Sequence, residues 1–216
     1  IESSNTWFGI TNPSGQTKYI IEKIWMDLSQ SSNLKIIILR YFNPVGAHKS
    51  GLLGENPNGI PNNLMPYILR VAIKNNIDKT LDDVYSSLKI YGNDYNTHDG
   101  TCKRDFIHVV DLALAHVAAY DNFNKMDKKL EIYNIGTGKG TSVLEMVNTF
   151  KKVNNVNIPF DFVDKRPGDI DVVYCDCEKA KNELGWVAKK TLEDICLDTY
   201  NYAISSINWL ILWSNK

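Results

Sequence analysis

Lys35-Ile36-Ile37-Ile38-Leu39-Arg40 restricts the fold more than any other segment of this chain. An uninterrupted β-branched run of this length suits a strand buried on both faces of a parallel sheet. The neighbouring segments carry a different period. Asn12-Pro13 opens a helical pattern, because the missing N–H of Pro13 is harmless in a first turn. Tyr19, Ile20, Ile24 and Leu28 then recur at helical spacing. Residues 64–73 read as a helix, and 89–91 and 105–108 as short strands. Asp111 is expected to cap an apolar helix running through Tyr120. Residues 132–135 read as a strand, and Ser142-x-x-Glu145 is a capping box opening a helix to about Val153. Residues 158–162 alternate as an edge strand does, and 172–177 read as a further strand. A short helix over 178–184 stops at Gly185, and 192–207 is the last long one. Strands alternating with helices give an α/β protein.

Composition narrows the class. There are 24 Lys+Arg against 25 Asp+Glu among 216 residues, a formal net charge of −1. A nucleic-acid binder would carry a basic excess or stripe, so no nucleic-acid partner is expected. The longest apolar run, Trp209-Leu210-Ile211-Leu212-Trp213, is about a quarter of a membrane span, so no membrane is expected either. Ile1-Glu2-Ser3-Ser4-Asn5 has neither a basic patch nor an apolar stretch, which reads as no signal peptide and a cytoplasmic protein. The chain does not begin with Met and reads as a fragment or a processed product. Cys102, Cys175, Cys177 and Cys196 match no zinc spacing. Alternation along a strand would point Cys175 and Cys177 to opposite faces, so all four are expected to be reduced thiols used as small hydrophobes. His48, His98, His108 and His116 are scattered, and no metal site is expected from them. The Asn-x-Ser at Asn12 is excluded as a glycosylation site by Pro13.

Two local patterns invite a functional reading. Gly136, Gly138 and Gly140 follow a strand and precede a helix, as a phosphate-binding turn does. Their spacing is G-x-G-x-G rather than G-x-G-x-x-G, so a tight structural turn into a capped helix accounts for them better than a phosphate cradle. Ser14 and Lys18 share one helix face four residues apart. Taken alone, that is a helix start with a lysine.

The larger pattern is more specific. Asn12-Pro-Ser-Gly-Gln-Thr-Lys18, Leu39-Arg-Tyr-Phe-Asn-Pro-Val-Gly-Ala-His48 and Gly59-Ile-Pro-Asn-Asn-Leu-Met-Pro-Tyr67 occur in order. Tyr91-Gly-Asn-Asp-Tyr-x-Thr-x-Asp-Gly-Thr101 and Arg104-Asp-Phe-Ile-His-Val-Val-Asp111 follow, then Asn134-Ile-Gly-Thr-Gly-Lys-Gly140 and Arg166-Pro-Gly-Asp169. This series, from about residue 12 to about residue 200, resembles the UDP-glucose 4-epimerase branch of the extended short-chain dehydrogenase/reductases. The resemblance implies a partial Rossmann-type parallel sheet with a smaller mixed α/β substrate-binding domain. Residues 12–50 and 105–150 would lie on the Rossmann side, and 51–104 and 151–216 mainly on the substrate side. It also implies NAD as cofactor, UDP-galactose and UDP-glucose as substrates, and a homodimer. In that family hydride leaves the sugar C4 and returns to the opposite face of the 4-ketose.

By the same resemblance Lys18 would hold the nicotinamide ribose, and Tyr41 and Phe42 would border the nicotinamide. Asn43 and Asn63 would hydrogen-bond the UDP-sugar. Leu64 and the Lys89, Ile90, Tyr91 strand would flank the uracil. Arg104 and Arg166 would meet the diphosphate, where a guanidinium fork suits paired phosphoryl oxygens. Asp169 would contact the uridine ribose. Val173, four residues on, would leave room beside the sugar 2-substituent and so admit N-acetylated sugars, unless a one-residue register slip puts Tyr174 there. From the residues alone, Asn43 also fits a turn, and the two arginines also fit surface ion pairs.

Two departures from the family stand out. The half that carries the G-x-x-G-x-x-G fingerprint, the adenosine-side acidic residue and the catalytic Ser/Thr is not among the 216 residues. Without its strands the sheet would expose an edge and apolar surface. Ser14 also stands where the family has its catalytic Tyr. An aliphatic alkoxide is far more basic than a phenolate, so the chain alone is expected to be inactive. The alternative reading is a non-catalytic UDP-sugar-binding or interaction protein derived from an epimerase.

Overall fold

A computed structural model describes Glu2, residues 13–206 in full and the backbone of 207–214. Asn12, and the sequon and helix-start readings that fall on it, lie outside the described residues. The isoleucine run forms β1 (Ile36–Tyr41), which pairs in parallel with β6 (Leu130–Ile135), Ile36 opposite Leu130 and Tyr41 opposite Ile135. Residues 36–40 are half-buried rather than fully buried as expected, and Tyr41 is exposed, with β6 as the strand partner among the described residues. Alternation explains the two faces. Ile37 and Leu39 point into a core with α3 (Val109–Phe123) and α5 (Glu178–Leu184), while Arg40 turns to the other face and pairs with the buried Glu22 of α1 (Pro13–Ser31).

Among the described residues there are three further small sheets. β2 (Asn43–Val45) runs parallel to β5 (Phe106–His108), and β3 (Leu88–Tyr91) parallel to β8 (Phe160–Val163). β4 (Lys103–Arg104) lies between β7 (Thr141–Ser142), antiparallel, and β9 (Val172–Val173), parallel. β9 is much shorter than the strand expected over 172–177. The chain leaves the sheet because Asp105 accepts the Cys175 N–H and Asp176 accepts the Glu178 N–H, which turns residues 174–177 into the approach to α5.

Among the described residues the apolar side chains form two cores. One gathers α2 (Leu64–Asn76), β3, α4 (Val143–Asn154) and α6 (Leu192–Ser214) around Ile68, Leu88, Ile90, Phe150 and Ile195. The other holds β6, α3, α5 and Trp186. Phe150 of α4 packs on the α2 and α6 side, and Leu184 of α5 on the β1 and β6 side. On the outer faces, Ile20, Ile21, Ile24 and Trp25 of α1 and Leu114, Val117 and Tyr120 of α3 are exposed.

The helix ends follow the sequence in two cases and depart from it in one. Ser142 Oγ accepts the Glu145 N–H at 3.0 Å and Glu145 Oε2 accepts the Ser142 N–H at 2.8 Å, closing the capping box of α4. Gly185 ends α5 at φ +65°. Asp111 is not the cap of α3. It is buried inside the helix, and its Oδ2 accepts the N–H groups of Lys189 and Lys190 at 2.9 and 2.8 Å. The cap is His108, whose Nδ1 accepts the Val110 N–H at 3.0 Å.

His108 also faces Asp198 of α6, with Nε2 3.2 Å from Oδ2, beside Lys190 and Asp111. With Nδ1 accepting, Nε2 carries the proton and the ring is neutral. Burial holds the imidazole below its ordinary pKa of 6.5, and the Asp198 carboxylate offsets this only in part. The unfolded ring therefore binds a proton more readily than the folded one. The stability this histidine confers is complete above about pH 6.5 and is lost as pH falls toward the folded pKa. Urea denaturation between about pH 5 and pH 7.5 should show the unfolding free energy of the chain rising with pH, and His108→Gln should flatten that slope. Equal slopes in the two proteins would overturn this account.

Candidate functional site

The chain leaves β1 at Tyr41 and enters β2 at Asn43 without a break. The Phe42 N–H donates to Ile135 O at 3.0 Å and the Asn43 N–H to Asp105 O at 2.9 Å. This carries residues 41–43 across the carboxyl ends of the parallel strands, where open α/β sheets bind their ligands. A cleft of about 830 Å³ opens beside β2. Its walls are β2, the loop over 46–63, the start of α2, Cys102 and Arg104, Phe106 of β5, the first turns of α3, and Arg166 with Asp169. The loop is held by α6, where a Cβ on Gly54 would lie 2.4 Å from the Tyr202 ring. Gly46, at φ +91°, packs so close to the His108 ring that a Cβ would sit 3.0 Å from it. These contacts fix His48, Leu53 and Glu55 on the cleft wall.

One end of the cleft is cationic. Arg104 Nη1 donates to Ile170 O at 2.7 Å, and its Nη2 lies 3.6 Å from Asp169 Oδ1. Arg166 Nε donates to Asp169 Oδ2 at 3.1 Å, and its guanidinium lies 4.8 Å from the centre of the Tyr91 ring. Tyr95 OH reaches Asp169 Oδ2 at 3.5 Å, and burial, with the Asp169 charge adding to it, pushes the phenol above its ordinary pKa. Asp169 thus aims two guanidinium groups at one place and neutralises one of them. What remains is a net positive charge with planar forked donors, which suits an anion with paired oxygens.

Asn43, Asn63, Leu64, Arg104, Arg166 and Asp169 all line this cleft. The remaining residues singled out from the sequence lie elsewhere. Ser14 and Lys18 sit exposed on the first turns of α1, where Lys18 Nζ donates to Ser14 Oγ at 2.9 Å. Tyr41 is exposed and Phe42 half-buried at the end of β1. Lys89 pairs with Asp161 across β3 and β8 at 2.6 Å, and that hydrogen bond holds the Asp161 carboxyl below its usual range. The Ile90 side chain is buried among Ile68, Leu88 and Phe150, because it points inward where Lys89 and Tyr91 point outward. Val173 stands opposite Arg104 in the β4–β9 pair, half-buried and off the cleft wall. Tyr174 is exposed and packs near Gly140.

The glycine turn is occupied by a carboxylate of the chain itself. Asp105, fully buried, accepts the Thr137 N–H at 2.8 Å and the Gly138 N–H at 3.0 Å. Amides already bound to a carboxylate cannot cradle a phosphate, so the structural-turn reading fits. Sequence reasoning missed His48, Glu55, Asn62, Cys102 and Phe106 as cleft residues. For the first three the signal was present: a loop this long without periodicity is uncommon unless it serves a site.

Comparison with known proteins follows the same outline. Residues 2–199 match the family model described as GDP-mannose 4,6 dehydratase. A curated UDP-glucose 4-epimerase of Pasteurella multocida is 51% identical over 195 residues, which is 90% of this chain and 55% of that protein. The chain therefore spans about half the length of the curated relatives it matches. A crystal structure of UDP-glucose-4-epimerase from Stenotrophomonas maltophila with bound NAD and formylated UDP-arabinopyranose superimposes with TM-score 0.83. It is 42% identical, covering 92% of this chain and 56% of that one. The UDP-glucose 4-epimerase of Bifidobacterium longum, in complex with NAD+ and UDP, gives TM-score 0.82 at 44% identity, covering 93% and 57%.

Proposed function

This chain belongs to the GDP-mannose 4,6 dehydratase family, and from that premise we propose that its cleft is the UDP-sugar side of a UDP-glucose 4-epimerase site, interconverting UDP-galactose and UDP-glucose. The observation that carries this reading is the convergence of Asn43, Asn63, Leu64, Arg104, Arg166 and Asp169 on one cleft. Arg104 and Arg166 would take the diphosphate, and Asp169 would hold both guanidinium groups and meet the ribose. Asn43 and Asn63 would orient the sugar and its diphosphate. Leu64 and Tyr91 would bracket the uracil, and the Ile90 contribution would be limited to its backbone. The exposed apolar face of α1 is available for a homodimer.

The residues present fit the nicotinamide end of NAD. Tyr41 and Phe42 stand at the carboxyl edge of the parallel pair, and Lys18 presents an exposed ammonium on α1, donating to Ser14 Oγ. Bound NAD supplies reversible hydride acceptance from the sugar C4. The glycine turn at Gly136 offers no open amides for its pyrophosphate, since Asp105 fills it. Ser14 supports a second reading for the chain by itself: a module that binds UDP-sugars without turning them over. Its hydroxyl sits 2.9 Å from Lys18 Nζ, in the place of a base, yet an alcohol does not ionise near neutral pH. The missing base removes at least the roughly 10²–10⁴-fold that a positioned acid–base group supplies.

Calorimetric titration of the chain with UDP tests the cleft. Arg104→Gln and Arg166→Gln should each weaken UDP binding about 10- to 100-fold, the worth of a charge-assisted hydrogen bond to phosphate. Unchanged affinity in both variants would remove the diphosphate from this end of the cleft. A conversion assay from UDP-galactose to UDP-glucose, with NAD added, should find the 216-residue chain inactive. Ser14→Tyr alone should not restore it, because the base returns while the pyrophosphate site does not. Turnover near an ordinary 1 s⁻¹, roughly, in either protein contradicts this assignment.

A further inference from the structure

Four cysteines are present, and only two of them are together. Cys102 and Cys196 are buried singly, the latter with its thiol against the Met146 sulfur at 3.9 Å. Cys175 and Cys177 are different, with their sulfurs 2.8 Å apart. An i, i+2 pair on a regular strand would diverge, as the sequence reading expected. The sulfurs meet here because β9 ends at Val173 and the chain curls into α5. Two contacts lock the curl. Asp105 Oδ2 accepts from the Cys175 amide and lies 3.2 Å from the Cys175 sulfur. Gly136 lies so close that a Cβ there would sit 2.4 Å from the same sulfur. The pair is not arranged as part of a metal cluster, since the described residues offer no group of three or more His, Cys, Asp or Glu that could hold an ion.

We propose that Cys175 and Cys177 are a thiol modification site, in which Cys177 attacks a low-molecular-weight disulfide such as oxidised glutathione and Cys175 resolves the product into a reversible Cys175–Cys177 disulfide. The two thiols are placed unequally for these roles. Cys177 is partly exposed, and the Gly136 amide supports its sulfur. Cys175 is buried against Asp105. Hydrogen bonding from Cys175 lowers the Cys177 pKa, while that same bond, burial and the Asp105 carboxylate raise that of Cys175. The thiolate is the attacking species. In the first step the Cys177 thiolate bonds to one glutathione sulfur, the glutathione S–S bond breaks, and one thiolate leaves and takes up a proton. In the second step Cys175 loses its proton along its contact with Asp105. Its sulfur bonds to Cys177, the mixed disulfide breaks, and the second glutathione thiol leaves. Two protein thiols are oxidised, and one glutathione disulfide is reduced to two thiols. The proposal is independent of what occupies the cleft.

Mass spectrometry of the intact chain tests it directly. Tryptic peptide 166–179 holds both cysteines and neither of the others. After treatment with oxidised glutathione it should lose the mass of two hydrogens and regain it with dithiothreitol. Cys175→Ser should stop at a glutathione adduct on Cys177, and Cys177→Ser should leave Cys175 unmodified. In the untreated protein, iodoacetamide at neutral pH should alkylate Cys177 at least about tenfold faster than Cys102 or Cys196. Those two also report that the chain is folded while it reacts. A peptide 166–179 that keeps two free thiols, a wild-type adduct that never resolves, or labelling of all four cysteines at one rate would each overturn the assignment.

Discussion

The arrangement of this chain depends on one buried carboxylate. Asp105 is fully buried between Arg104 and Phe106, and a charge in that position is tolerable only when donors surround it. They come from two other segments: the amides of Thr137 and Gly138 with the Thr137 hydroxyl, and the amide and thiol of Cys175. The Asp105 backbone carbonyl takes the Asn43 amide as well. One residue therefore joins β2, the turn after β6, the link between β4 and β5, and the approach to α5. The cleft is built on these joints. Asn43, Arg104 and Phe106 are immediate neighbours of the hub, and each of them forms part of its wall.

That hub also explains why the glycine cluster is structural. Successive backbone amides pointing the same way bind an anion, and a phosphate or an internal carboxylate satisfies them equally well. Here the anion is covalently part of the chain, so no ligand can compete at high local concentration. The anion capacity of the molecule is displaced to the far end of the cleft. There two guanidinium groups share a single carboxylate and leave a positive charge uncompensated.

Much of the fold was legible because local chemistry and tertiary need agreed. The isoleucine run became β1, the Ser142 and Glu145 box opened α4, and Gly185 closed α5. The misreadings share one cause, in which a distant segment outbid a local preference. Asp111 looked like a cap, but the amides of Lys189 and Lys190 recruit it from 78 and 79 residues away. The strand over 172–177 looked regular until Asp105, 70 residues off, took the Cys175 amide. The same event brought the two sulfurs together, which no alternation pattern could reveal. In the cleft, the six residues that met were legible only through family-length motifs. Arg104 and Arg166 are 62 positions apart in the sequence, and no local period relates them. The inward face of Ile90 was not legible either, because a motif names a strand but not which face each residue takes.

Ser14 and Lys18 show how geometry and chemistry separate. The helical rise sets residues four apart against one another whatever their side chains, so the pair forms as the pattern requires. What a phenol adds is not position but acidity: its anion is accessible when an ammonium lies beside it, and the alkoxide of an alcohol is not. The hydroxyl of Ser14 keeps the hydrogen bond to Lys18 that this spacing provides. None of the cleft contacts runs through Ser14, since Arg104, Arg166 and Asp169 are held by β4, by Tyr91 and by one another. The cationic end of the cleft and the Ser14–Lys18 pair thus sit on different elements of this fold.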